Sequence, residues 1–362
     1  MATLTLIGEP LADCEAAAHA EAARDLALAV GVAAPRGCSA RLLIAADRDT
    51  PVFETARTRA ERLPLKSSTL PLLWRTGVTA RPLDGEFVHS LTPLVPLRAR
   101  SEDDGSQTSV TIPHALGWLA PQLMGAVAAR QYRAFVKRAV RLADVLVTPS
   151  HATAMALQER FGDVAVQVLP LAPPSGYLRP DDAEERRAAL GLPERYLVTT
   201  AAPGEIGRLE WVLDALESDP ELPPLVVLAG AAPDAAQAEA QDPEAVSDPA
   251  LLAAVPEPLR ERVRFVRARE LADVGAVLSG AELAAMPQEQ IGAGYEILGA
   301  LAAGVPVVHA DCAAVAELVL EGGVSAPERA DFAAELSRLS RDEAGRRHLG
   351  LLAEDHSRSF GW

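Results

Sequence analysis

Residues 286–309 read Met286-Pro-Gln-Glu-Gln-Ile-Gly-Ala-Gly-Tyr-Glu-Ile-Leu-Gly-Ala-Leu-Ala-Ala-Gly-Val-Pro-Val-Val-His309. An apolar run over 283–286 leads into this stretch and a second, over 305–308, closes it. Between them stand the turn Gly292-Ala293-Gly294 and a segment of helical period that starts at Tyr295 and stops at Gly304. The order is strand, tight turn, helix, glycine stop, strand, which is the unit of a parallel α/β sheet. Gly292 and Gly294 let backbone N–H groups come close to a ligand, and a helix opening at Gly294 aims its positive end there. The same glycines also suit a turn that binds nothing, so the motif alone leaves both readings open.

The alternation continues on both sides. Toward the N-terminus, strands are expected over 4–7, 41–46, 86–89, 109–112 and 145–148, with helices over 15–30 and 122–142. Ser150 is placed to cap a helix that stops at Phe161-Gly162. Asp181 precedes Glu184 at capping-box spacing, and that helix stops at Leu190-Gly191. Four prolines between Pro170 and Pro180 place a linker there. Beyond it, strands fit 196–201, 225–228, 263–266, 283–286 and 305–308, and helices fit 209–216, 270–278, 295–303 and 313–320. Residues 231–258, rich in Ala, Pro, Asp and Glu, read as a mobile surface excursion. The expectation is two Rossmann-like doubly wound domains, 1–172 and 173–362, facing across a cleft, with ligands outside the carboxyl ends of the strands.

Composition agrees. At 362 residues the chain suits two domains, and 49% hydrophobic with 4% aromatic residues suits layered α/β packing. A net charge of -16 argues against a nucleic-acid partner. Cys14, Cys38 and Cys312 form no C-x-x-C pair, which fits thiols in a reducing cytosol. The N-terminus carries no basic n-region and no apolar run reaches the length of a membrane span, so a cytoplasmic location is expected.

The stretch 286–309 resembles the signature of the group-1 (family four) retaining glycosyltransferases, which have the GT-B fold. Pro287, Gly292, Gly294, Leu298, Ala300, Ala302, Gly304, Pro306 and Val307 fit that signature. Residues 143–151, 164–170, 271–287 and 311–317 resemble the family's neighbouring blocks in order and spacing. The resemblance implies a nucleotide-sugar substrate, with no metal and no separate cofactor. It is incomplete where the family carries charge. Two glutamates that hold the donor sugar and ribose fall here on Ile291 and Gly299, and an Arg-Lys pair for the donor diphosphate falls on Ile206 and Gly207. Losing one preorganised partner for such charge typically costs roughly 2.7–4 kcal/mol. Arg208, one residue past the family's Lys position, is the best substitute, against a solvated helix-start residue. Glu296, one turn before Gly299, is placed to reach a hydroxyl.

His114 ends a strand at the carboxyl edge, and the resemblance implies contact with the donor sugar; the alternative is a loop histidine packed on Trp118. His89 is a weaker candidate at another strand end. Asp47-Arg48-Asp49 has the spacing of a metal-holding D-x-D, but solvated strand-end carboxylates are the favoured reading and no metal is expected. Arg130, Arg133, Lys137 and Arg141 recur along one helix face, with Arg138 alongside. They make either a solvated face or a peripheral contact with anionic lipid at the inner face of the membrane. The chain ends at Ser359-Phe-Gly-Trp362, where the family's Phe-Ser-Trp-like element falls, so the helix that crosses back to the N-terminal domain is expected to be cut or lost.

The leading expectation is transfer of a hexose-type sugar from a nucleotide-sugar donor to a glycan or lipid-linked acceptor, in bacterial surface-polysaccharide or glycoconjugate synthesis. Arg208 and the backbone of Gly292, Ala293, Gly294 and Tyr295 face the donor phosphates, Glu296 meets a hydroxyl, and His114 is the catalytic-side contact to the sugar. The competing expectation is a non-enzymatic pseudo-glycosyltransferase that serves a partner glycosyltransferase or binds a glycan. A nucleotide-sugar epimerase of the same fold is a third reading.

Overall fold

The computed structural model describes residues 2–11, 15–53, 55–78, 87–99, 105–229 and 249–362. The chain divides into two compact units, Met1–Leu171 and Ala172–Gly361.

The first unit contains β1 (Ala2–Ile7), α1 (Ala16–Ala33), β2 (Cys38–Ile44), β3 (Thr58–Arg62), α2 (Leu70–Trp74), β4 (Phe87–Ser90) and β5 (Gln107–Thr111). It continues with α3 (Leu116–Leu119), α4 (Pro121–Met124), α5 (Ala126–Leu142), β6 (Val145–Thr148), α6 (His151–Phe161) and β7 (Val166–Val168). Its seven strands are all parallel, in the order β3-β2-β1-β4-β5-β6-β7. The order reverses between β1 and β4, so that crevice is the switch point of the sheet. Ile7, Leu43, Val88, Val110 and Leu146 bury one sheet face beneath Tyr132, Phe135 and Val136 of α5.

The single helix expected over 122–142 is two, because Gly125 lies at φ +77 and opens α5. Ser150 caps α6 as expected, accepting a hydrogen bond from the Thr153 N–H at 3.1 Å. β3 was not anticipated. It is a short edge strand carrying Arg59, Glu61 and Arg62, so it has no apolar run to betray it.

The second unit opens with a 3₁₀ turn, Ser175–Tyr177, and α7 (Ala183–Ala189). Then come β8 (Leu197–Thr199), α8 (Leu209–Ser218), β9 (Leu225–Ala229), α9 (Pro249–Ala254), β10 (Val263–Arg267), α10 (Leu271–Ser279) and β11 (Leu283–Met286). The unit ends with α11 (Tyr295–Ala302), β12 (Val307–His309), α12 (Ala313–Val319), β13 (Gly323–Ser325), α13 (Arg329–Arg341) and α14 (Glu343–Ser357). Its six parallel strands run β10-β9-β8-β11-β12-β13, and the order reverses between β8 and β11.

Two expectations need correction here. The capping box at Asp181 and Glu184 does not form. Asp182 stands at the N-cap, and its carboxylate instead receives Arg186 Nε at 2.8 Å. Arg186 also reaches Asp273 at 2.8 Å, so an ion pair displaces the local cap. Residues 231–248 of the supposed excursion lie outside the described residues. Its tail is helical, and Val255 is buried in the core.

α10 and α11 both pack closely on the 3₁₀ turn. A Cβ on Gly275 would lie 2.1 Å from the Leu178 carbonyl oxygen, a backbone atom that cannot swing aside. Gly275→Ala is therefore expected to destabilise this domain by about 1–3 kcal/mol and to lower its melting temperature by several degrees. Gly361→Ala, with open space around it, is expected to leave the calorimetric transition unmoved.

Candidate functional site

The carboxyl ends of β8, β11 and β12 bring three loops together. After β8, the turn 200–208 closes on itself. The Arg208 N–H donates to the Gly204 carbonyl at 2.7 Å, and the Leu209 N–H donates to the Ala202 carbonyl at 3.0 Å. The Glu210 carboxylate receives the Gly204 N–H at 2.9 Å. The backbone of the next loop joins in, with the Glu289 N–H on the Ile206 carbonyl at 2.9 Å. Inside this turn a Cβ on Gly207 would sit 2.1 Å from the Ala202 carbonyl oxygen. Only glycine fits, so no charged side chain can stand where the resemblance calls for lysine.

The charge moves one residue on. Arg208 adopts the left-handed backbone, φ 56 and ψ 30, at the start of α8. That conformation costs a non-glycine residue about 1–3 kcal/mol and persists where the surroundings enforce it. Its Nη1 donates to Asp311 at 2.9 Å, and its Nη2 donates to Glu289 at 3.3 Å. Its guanidinium lies over the Trp211 ring, 4.7 Å from the centroid. Arg208 thus ties the loops after β8, β11 and β12. Its hydrogen bond holds the Asp311 carboxyl below the usual carboxylate range. Beneath it, buried Gln288 donates from Nε2 to Thr200 Oγ1 at 2.9 Å, while its Oε1 has no hydrogen-bond partner among the described residues. Burial raises the Cys312 thiol, which keeps it protonated and unreactive.

Gly294, at φ +81, opens α11. Gly292 is half-buried, whereas Ala293 and Tyr295 are fully buried. Only the backbone of this run can serve a ligand. The Tyr295 ring packs edge-on against Tyr177 at 6.1 Å. Glu296 is half-buried, its carboxyl raised by burial, and it accepts a hydrogen bond from the Tyr177 hydroxyl. Gly299 faces the Tyr177 carbonyl, which a Cβ would approach to 2.8 Å.

In the first unit, His114 follows β5 and is 2% exposed. Its ring stacks on Tyr132 at 4.6 Å, not on Trp118, and the Tyr132 hydroxyl donates to the His114 carbonyl at 2.7 Å. His114 Nε2 and His19 Nε2 each lie 3.8 Å from Glu15 Oε2. Burial lowers the His114 pKa to about 4 and the His19 pKa to about 3. His89 is not at a strand end. It lies within β4, its Nδ1 2.8 Å from Ser109 Oγ.

The D-x-D carboxylate Asp47 is taken by Ser67, from its N–H at 2.8 Å and its hydroxyl at 2.9 Å. Among the described residues no group of three or more His, Cys, Asp or Glu could hold a metal ion. Of the basic stripe, Arg130, Lys137 and Arg141 are exposed. Arg133 instead donates to the Gly117 carbonyl at 3.2 Å, and Arg138 donates to the Leu97 carbonyl. No described helix is long and apolar enough to cross a membrane.

Residues 205–342, within the second unit, match the family model described as Glycosyl transferases group 1. D-inositol 3-phosphate glycosyltransferase of Nocardia farcinica is 27% identical over 248 residues, covering 62% of this chain and 51% of that protein. The chain thus spans about half the length of this curated relative. Among solved structures, sucrose-phosphate synthase from Thermosynechococcus elongatus matches with a TM-score of 0.67 at 20% identity, covering 100% of this chain and 96% of that one. HepE of Anabaena in complex with UDP-glucose matches at 0.63 and 17% identity, covering 100% and 96%. WaaG, a glycosyltransferase involved in lipopolysaccharide biosynthesis, matches at 0.60 and 16%, covering 98% and 95%. The fold is GT-B.

Because the folded pKa values of His19 and His114 lie below the unfolded value of 6.5, the unfolded chain binds more protons as pH falls. Their stabilisation is complete above pH 6.5 and is lost on descent toward pH 4 to 3. Histidine ring resonances followed by NMR should show both side chains neutral at pH 6, where an exposed histidine is already largely protonated.

Proposed function

We propose that the chain is a glycosyltransferase that moves a hexose-type sugar from a nucleotide-sugar donor to a glycan or lipid-linked acceptor in bacterial surface-polysaccharide or glycoconjugate synthesis. The observation that carries this reading is Arg208, an arginine in the left-handed region at the carboxyl edge of β8, within the segment that matches the group-1 model. Strained arginines are kept where the guanidinium has work, and the carboxyl edge at a switch point is where such sheets bind ligands.

In this reading the donor diphosphate meets Arg208 and the backbone N–H groups of Gly292, Ala293, Gly294 and Tyr295 at the start of α11. Negative charge grows on the diphosphate as the sugar leaves, and a fixed guanidinium and helix terminus stabilise it without reorganisation. Glu296 accepts from a donor hydroxyl. His114 is proposed as a contact to the sugar. Neutral because it is buried, it hydrogen-bonds a sugar hydroxyl and carries no proton away. Transfer is metal-independent and retains the anomeric configuration. The nucleotide-sugar class is supported by the UDP-glucose complex of HepE, and the glycoconjugate setting by WaaG, a glycosyltransferase involved in lipopolysaccharide biosynthesis. Nothing in the comparisons favours a non-enzymatic subunit. Arg130, Lys137 and Arg141, with Arg133 beside them, are proposed to hold a cytoplasmic protein at the inner face of the membrane.

Calorimetry against UDP, GDP, dTDP and their sugars tests the donor site. Micromolar binding of one nucleotide is expected, weakened at least tenfold by Arg208→Ala, with turnover reduced about a hundredfold. Absence of binding at millimolar ligand sinks the reading. For the membrane contact, cosedimentation with phosphatidylserine vesicles should fall when Arg130, Lys137 and Arg141 are replaced by Gln, and should vanish at high salt. Salt-insensitive cosedimentation would count against it.

A further inference from the structure

The guanidinium of Arg208 is already engaged by carboxylates. Asp311, from the loop after β12, takes Nη1 at 2.9 Å; Glu289, from the loop after β11, takes Nη2 at 3.3 Å. Trp211 covers one face of the guanidinium plane. What remains of the Arg208 side chain is 17% exposed, whereas Glu289 and Asp311 are 45% and 58% exposed. The arginine is enclosed and its partners stand at the solvent rim.

Carboxylate and phosphate oxygens fit the same N–H fork of a guanidinium. The turn 200–208 fixes the Arg208 backbone by its own hydrogen bonds, so the side chain cannot escape its partners by a backbone swing. A phosphate arriving at Arg208 must therefore displace one carboxylate or sit beside two. Neither carboxylate is buried, so neither is needed to neutralise a charge inside the core. We infer that Glu289 and Asp311 are built-in competitors for the anion at Arg208, and that together they set how tightly this edge of the sheet takes a diphosphate. The inference rests on the reading that Arg208 receives the donor phosphates.

Glu289→Gln and Asp311→Asn keep a side-chain oxygen that accepts from the guanidinium and remove only the charge. Both positions are exposed enough for the fold to survive, which the thermal transition verifies. The probes are inorganic pyrophosphate and UDP, titrated into the full chain by calorimetry. Each substitution is expected to tighten both probes severalfold, and the double variant at least tenfold. Adding Arg208→Ala to the double variant should abolish the gain. If wild type binds and the variants bind equally or more weakly, the carboxylates serve to organise Arg208 and the competition is refuted, while the donor reading stands. If the variants gain affinity for pyrophosphate and none binds UDP or another nucleotide, the competition stands and the nucleotide-sugar reading falls. If nothing binds either probe in any variant, Arg208 is not a phosphate site and both fall.

Discussion

One guanidinium joins the three loops at the carboxyl end of the second sheet. The strands β8, β11 and β12 set the loop origins by parallel pairing, but pairing ends at Thr199, Met286 and His309. Beyond those residues Arg208 adds side-chain ties to Glu289 on one side and Asp311 on the other, beside the backbone bond from the Glu289 N–H to the Ile206 carbonyl. Its backbone conformation is unfavourable by itself. It is held by the Gly204 carbonyl below, the Trp211 face beside it and the two carboxylates ahead. Strain of about 1–3 kcal/mol is a modest cost against two charge-assisted hydrogen bonds and a cation–π contact.

Packing explains why the charged residues implied by the resemblance are missing at Gly207 and Gly299. Each is a place where backbone meets backbone. The Ala202 carbonyl fills the space beside Gly207, and the Tyr177 carbonyl fills the space beside Gly299. A longer side chain at either position would have to open the turn or lift α11 off the 3₁₀ turn. The neighbouring charges, Arg208 and Glu296, stand one and three residues away, where the backbone leaves room. Ile291 and Ile206 have no such steric account; both are simply apolar where the resemblance calls for charge.

The sheets were legible because their strands are buried on both faces and read as continuous apolar runs, such as Leu42-Leu43-Ile44 and Leu225-Val226-Val227-Leu228. β3 escaped because an edge strand can be polar, and β13 because Gly323-Val-Ser325 is too short to show a period. The break at Gly125 was hidden by good helix formers on both sides. Arg208, His114 and the glycine run were legible from the motif and from strand ends. Glu289 and Asp311 were in plain view yet unassigned, since their role exists only once β11 and β12 place their loops beside one arginine.

The same limit applies to the histidines. Glu15 and His19 lie four residues apart on one helical face, which marks them as neighbours and nothing more. That His114, nearly a hundred positions later, meets the same carboxylate oxygen follows from β5 ending beside the start of α1. Spacing along the chain cannot announce this. Burial there decides the chemistry. An imidazole whose pKa is about 4 is uncharged at neutral pH, with one ring N–H and one bare nitrogen, and is a weak base.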